Sequence, residues 1–167
     1  MKDCDGNPVK VYYGEKAIAE VEKLENRKLS PIECRVVMEE GFVPEIYKDT
    51  KGILTYGVGQ TGKYISMGFK ASFQAHVEKT KKMVKGYETF PEYLQEELIQ
   101  CCYRGDLGMS PKTVKLINQG LYMRAAEEFL DHAEYRNHKT PVSIKQRIKG
   151  LSDALRQYAK EIHGWGV

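Results

Sequence analysis

The stretch Glu40-Gly41-Phe42-Val43-Pro44-Glu45-Ile46-Tyr47-Lys48-Asp49-Thr50-Lys51-Gly52-Ile53-Leu54-Thr55-Tyr56-Gly57-Val58-Gly59-Gln60 decides how the chain folds, because the period of the sequence changes here. Residues 45–48, 49–52 and 53–56 read as strand, tight turn and strand, with Asp and Gly marking the turn. Gly57-Val58-Gly59-Gln60 then lets the chain bend closely, either into a third short strand or against a ligand. On the other side, Ser30-Pro31-Ile32-Glu33 carries the marks of a helix start. Ser30 caps, Pro31 suits the first helical position, and Glu33 completes a capping box. That helix runs through Cys34, Val36, Val37 and Met38 and stops at Gly41, a residue that takes the left-handed C-terminal conformation without strain. Glu40 is thereby expected at the end of a helix, facing the hairpin that follows.

The rest of the chain has helical periodicity. Residues 15–28 read as a charged amphipathic helix with Ala17, Val21 and Leu24 on one face. Beyond the hairpin, Phe69, Phe73, Val77 and Val84 fit one side of a long helix. Leu94, Leu98, Cys101 and Cys102 share a face of the next, Ser110-Pro111 opens a short helix ending near Gly120, and Tyr122, Ala126, Phe129 and Ala133 line another. Thr140-Pro141 opens the last, along which Ile144, Ile148, Leu151, Leu155, Tyr158 and Ile162 recur at spacings of four and three. Stripes of this kind are core faces. The fold class is therefore α+β and mostly helical, with a small β-hairpin lobe and a helical lobe around a cleft. Residues 1–29 are expected as an additional N-terminal helical segment, and residues 30–167 as the main domain. Within it, 30–69 form the hairpin lobe, 70–85 a connecting helix and 86–167 the helical lobe.

Composition excludes several classes. Of the 167 residues 41% are hydrophobic and 29% charged, which is ordinary for a globular chain and rules against disorder. The net charge of +3 is mild, and no run of Lys or Arg is interleaved with aromatics, so a nucleic-acid surface is not indicated. No window has the length and apolarity of a membrane-spanning helix, and Met1-Lys2-Asp3-Cys4-Asp5-Gly6-Asn7-Pro8 lacks the apolar run of a secretory leader. The chain is accordingly expected to fold in a cytoplasm. Cys4, Cys34, Cys101 and Cys102 have no metal-ligand spacing, and the adjacent Cys101 and Cys102 read as small core residues. His132 and His138 lack both an i, i+4 spacing and a supporting carboxylate pattern, so no metal is expected. No phosphate-cradling loop is present and no cofactor is expected.

What remains is a pair of carboxylates. Glu40 at a helix end and Asp49 in the turn of the next hairpin face each other without touching if the chain reverses between them. Such a pair suits the cleavage of a glycosidic bond, where one carboxyl protonates the leaving oxygen and the other places a water or steadies positive charge on the sugar. Thr55, on the return strand, lies close enough to Asp49 to share a water with it.

The order and spacing of these residues resemble the catalytic segment of the phage-type lysozymes, the T-even endolysin family, glycoside hydrolase family 24. The resemblance rests on Glu40-Gly41, the eight residues between Glu40 and Asp49, the five between Asp49 and Thr55, and Gly57-Val58-Gly59. Ile46-Tyr47-Lys48-Asp49-Thr50, with Gly52 and Thr55, is similar to that family almost letter for letter. In that family the glutamate is the general acid, while the aspartate and threonine hold the attacking water of an inverting hydrolysis. The resemblance implies these roles for Glu40, Asp49 and Thr55, with Gly57, Gly59 and Gln60 in supporting or substrate-binding positions. It continues more faintly through residues 113–120 and Ala125-Ala126. Ser143-Ile144-Lys145-Gln146-Arg147 is similar to an element whose arginine lies beside the catalytic glutamate. Arg147 is then either the neighbour of Glu40 or an arginine on the solvated face of an amphipathic helix. An arginine there favours the ionised acid and burial favours the protonated one, so the protonation state of Glu40 stays open. The chain departs from the family at Gln60, where many members have His, and over residues 1–29, which have no clear counterpart in the short endolysins.

The resemblance implies a muramidase that hydrolyses the β-1,4 bond between N-acetylmuramic acid and N-acetylglucosamine in bacterial peptidoglycan, without metal or cofactor. The alternatives are a lytic transglycosylase of the same fold and a catalytically silent wall-binding virion protein. The expected partner is peptidoglycan, with a virion or lysis protein able to dock on the N-terminal segment. The chain is expected to be a monomer that inserts in no membrane. It waits in a host cytoplasm before release to the wall, or travels with the virion.

Overall fold

Helices α1 (Gly14–Glu25) and α2 (Pro31–Glu40) form the frame of the first part of the molecule, seen in a computed structural model that describes residues 2–163, apart from the side chains of 133 and 134. Met1, residues 164–167 and the expected core contact of Ala133 lie outside the described residues. The chain divides into two compact units, Met1–Ala75 and His76–Val167.

In the first unit, Ala17 and Val21 of α1 are buried, as are Val36 and Val37 of α2, and the two helices pack together. Leu24 was expected on the same stripe but is 62% exposed, because the last turn of α1 outruns the surface it packs on. Asn26 then turns the chain with φ of +50°. The joint between the helices is polar and fully bonded. Ser30 caps α2 and forms the complete capping box with Glu33. Glu33 also accepts two hydrogen bonds from Arg27, at 3.1 and 2.6 Å, and Arg27 reaches Glu25 at 2.8 Å. Gly41 ends α2 with φ of +75° and ψ of 179°, an extended positive-φ region open essentially to glycine rather than the left-handed helical conformation expected from the sequence.

From Gly41 the chain enters a four-stranded antiparallel sheet in the order β1-β2-β3-β4. Its strands are β1 (Lys2–Asp3), β2 (Val43–Lys48), β3 (Leu54–Gly57) and β4 (Gln60–Thr61). Tyr47 pairs with Thr55 and Val43 with Gly57, so β2 carries extra residues between the two pairs. Pro44 sits in that irregular stretch, where it cannot donate to a ladder. Residues 2–29 contribute to this unit through β1, which pairs with β2, and through α1. A bridge between Tyr12 and Phe42, with their rings stacked at 6.3 Å, ties the same segment to the start of the sheet.

Helix α3 (Phe69–Met83) carries the chain out of the first unit. The second unit is helical: α4 (Glu92–Arg104), α5 (Pro111–Asn118), α6 (Tyr122–Leu130), α7 (Ala133–Arg136) and α8 (Val142–His163). Helix α8 packs on α4 and α6, burying Ile148, Leu151 and Leu155 with Leu94, Leu98 and Phe129. The buried Ser152 hydroxyl donates to the Ala126 carbonyl at 2.9 Å, which satisfies it in that seam. Cys101 and Cys102 are buried, and all four cysteines are free thiols. Ile162, at the end of the α8 stripe, is 46% exposed.

The Arg27–Glu33 contact makes stability depend on acid. Burial alone disfavours the Glu33 carboxylate, yet hydrogen bonds from Arg27 and Ser30 outweigh it and hold the carboxyl below its ordinary value. A group lowered by folding stabilises fully above its unfolded value, about 4.3 for glutamate, and the contribution is lost as pH falls through the folded one. Glu33→Gln should therefore lower stability at pH 7 by about 1–3 kcal/mol. It should also flatten the loss of stability between pH 5 and pH 3. Thermal unfolding followed by circular dichroism across that range checks both, and a variant with the wild-type pH slope would remove Glu33 from the account.

Candidate active site

Asp49 follows the last residue of β2 and builds its own turn. Its Oδ1 accepts hydrogen bonds from the amides of Lys51 and Ile53, both at 2.8 Å. The Asp49 amide donates to the Ile53 carbonyl at 3.0 Å, and the Gly52 amide to the Asp49 carbonyl at 2.9 Å. An aspartate can close such a turn because its short side chain reaches the amides two and four residues ahead. One carboxylate oxygen is thus fixed by the backbone, and among the described residues Oδ2 carries no protein hydrogen bond.

Thr55 is linked to this turn through Ile53. Its hydroxyl donates to the Ile53 carbonyl at 3.0 Å, on the same residue whose amide holds Asp49. Thr55 is buried in the middle of the sheet, paired with Tyr47 on β2 and Thr61 on β4. With its proton committed to the backbone, the hydroxyl keeps lone pairs able to accept.

Glu40 is the last residue of α2 and half-buried. The turn from β3 to β4 comes down on it. Gly59 has φ of +60°, and a Cβ at this position would stand 2.7 Å from Glu40 Oε2 and 3.4 Å from its Cδ. Only glycine admits both that conformation and that approach. Gly57 is constrained in the same way by Gln60, since a Cβ there would lie 2.6 Å from Gln60 Oε1. Gln60 is buried, and its amide is used up by backbone: Oε1 accepts from the Val58 amide at 3.2 Å, while Nε2 donates to the carbonyls of Tyr64 and Met67 at 2.9 and 2.7 Å. Gln60 therefore holds the loop that holds Gly59. A histidine has no second donor or acceptor on each end to make the same three bonds in one plane.

Six of the seven residues singled out in the sequence, Glu40, Asp49, Thr55, Gly57, Gly59 and Gln60, lie in the first unit on consecutive elements. Arg147 lies in α8 of the second unit, half-buried, with its carbonyl accepting from Arg104 Nη2 at 3.3 Å. Sequence reasoning missed Tyr47. Its phenol is pushed above the ordinary tyrosine value by burial and then by the charges of Glu40 and Asp49, which places it within electrostatic reach of both carboxyls. The signal was the strand alternation that sets Tyr47 opposite Thr55. Ile53 was also missed, because its contribution is entirely backbone.

Chemically, the arrangement offers a half-buried carboxyl at a helix end and a second carboxylate held by amides with one oxygen open. A hydroxyl is anchored to the same turn. Groups of these types are able to donate a proton and to accept one from a bound water. The Gln60 clamp is the piece most open to direct measurement. Gln60→Ala leaves two carbonyls and an amide without their partner and should cost about 2–4 kcal/mol. Urea unfolding measures this, and a loss under 1 kcal/mol would mean that the loop does not depend on the clamp.

No family model matches the chain, and no curated protein matches it in sequence. Among solved structures, it is similar to the active form of the P1 phage endolysin Lyz, with a TM-score of 0.55 and 11% identity over 96% of this chain and 100% of that one. The likeness at this identity is one of fold, and it establishes an α+β, lysozyme-like architecture shared with a phage endolysin.

Proposed function

We propose that the protein is a lysozyme that cleaves the glycan of bacterial peptidoglycan between N-acetylmuramic acid and N-acetylglucosamine, in phage lysis or entry. The observation that carries this reading is that Glu40, at the end of α2 against Gly59, and Asp49, whose Oδ1 is fixed by two amides and whose Oδ2 is open, both lie within electrostatic reach of Tyr47. The fold shared with a phage endolysin supports it. Glu40 protonates the departing glycosidic oxygen. Asp49 takes a proton from the attacking water, which Thr55 helps to position, and the product forms with inversion. Fixing one oxygen of Asp49 leaves the other correctly aimed with no reorganisation during the reaction. Tyr47, buried and within electrostatic reach of both carboxyls, serves as a positioning residue. Arg147 is assigned a supporting role on the sequence resemblance alone.

The substrate is met outside the bilayer, and no helix among the described residues is long and apolar enough to cross a membrane. The likeness to a phage endolysin supports release from a lysing cell or delivery with a particle as its route to the wall.

Loss of turbidity of permeabilised Gram-negative cells tests this directly. Glu40→Gln should lower the rate by about 10²–10⁴-fold, the range expected for loss of a general acid. Asp49→Asn should also be strongly impaired while remaining folded. Equal lysis by wild type and Glu40→Gln would overturn the assignment. Anhydro-sugar products would point to a transglycosylase, and wall binding without cleavage to a silent structural protein.

A further inference from the structure

The turn at Asp49 has a twin. In the N-terminal hairpin, Asp3 Oδ1 accepts from the amides of Asp5 and Asn7 at 2.9 and 2.8 Å. The Asp3 amide donates to the Asn7 carbonyl at 2.8 Å, and the Gly6 amide to the Asp3 carbonyl at 3.1 Å. Each of these bonds has its counterpart between Asp49 and Ile53, and the glycines at the same position have φ of +84° for Gly6 and +79° for Gly52. Both hairpins therefore carry the same rigid Asp-x-x-Gly turn. The pairing of β1 with β2 brings them to one place, where Asp3, Cys4 and Gly6 from one turn and Asp49, Thr50 and Gly52 from the other line a groove of about 550 Å³ together with Lys2 and Lys48.

The two lysines are direct cross-strand partners. Side chains so placed project from the same face with Cβ atoms about 4.5–5.5 Å apart, and like charges in that relation repel. Both are exposed, and among the described residues neither ammonium enters an ion pair. One oxygen of each nearby turn carboxylate, Asp3 and Asp49, is held by amides, and neither carboxylate forms an ion pair with these cations. An arrangement that costs stability in the free protein becomes favourable when an anion lies between the two ammonium groups.

We infer that this groove is a substrate subsite in which Lys2 and Lys48 recognise a carboxylate on the peptide branch of the glycan. The inference rests on the proposed peptidoglycan hydrolysis. Asp49 belongs to both the groove and the candidate catalytic pair, so a branch leaving a sugar bound at Asp49 enters the groove directly. The small residues Cys4, Gly6 and Thr50 leave room for it, and its carboxylate gives the two ammonium groups an ion-pair partner.

The test compares native peptidoglycan with the same material after its free carboxylates have been converted to amides by carbodiimide and ammonia. The wild type should lose about three- to tenfold in kcat/KM on the amidated substrate, the size expected for two partly exposed charge contacts. In the double variant Lys2→Gln/Lys48→Gln the native-to-amidated ratio should fall to near one, and Lys2→Arg/Lys48→Arg should restore the preference. Equal ratios in the wild type and the Gln variant would overturn the inference, as would a wild type indifferent to amidation. A wild type that cleaves neither substrate would instead refute the hydrolase reading on which the subsite rests.

Discussion

The Glu40 side chain ends one helix and lies against Gly59, whose φ of +60° and close approach both favour glycine. Both sides of this contact are held from a distance. On the helix side, Glu33 is locked at the start of α2 by Ser30 and Arg27, so that the helix leaves its first turn in a defined direction. On the sheet side, Gln60 ties the β3–β4 turn to the carbonyls of Tyr64 and Met67 and keeps Gly59 where it is. Each anchor supplies the rigidity that a carboxyl must have if it is to deliver a proton in one direction.

Asp49 solves the complementary problem with purely local means. Its turn is closed by its own side chain, so the carboxylate is oriented by the peptide it organises. Thr55 is drawn into the same unit through Ile53, which links the two residues by its amide and carbonyl. Glu40 is placed by long-range packing and Asp49 by short-range hydrogen bonding. The sheet register that pairs Tyr47 with Thr55 joins the two devices.

Much of this was legible in the sequence, for physical reasons. The capping box at Ser30, the stop at Gly41 and the turn at Asp49 are local features, determined by residues within four positions of one another. The helical stripes were legible because burial repeats with the helical period, and they erred where that rule ends, at Leu24 and Ile162 in the final turns of their helices. Long-range features did not show. The pairing of Lys2 with Lys48 depends on a two-residue strand too short to have a period. The position of Gln60 in the motif was visible, but its bonds to Tyr64 and Met67 depend on a 3-10 turn at Gly62–Ser66 that the pattern does not announce. The repeat of Asp-x-x-Gly at Asp3 and Asp49 was present in the letters and acquires meaning only once β1 is seen beside β2.

The central claim is that Glu40 gives a proton while Asp49, with one oxygen free, directs water to the opposite face of the sugar. The anomeric configuration of the new reducing end, followed by proton NMR in the first minutes of cleavage of a soluble glycan fragment, tests it most directly. Water delivered by Asp49 converts the β-linked bond into an initial α-anomer. An initial β-anomer would mean a covalent intermediate or attack from the same face, and would contradict the account.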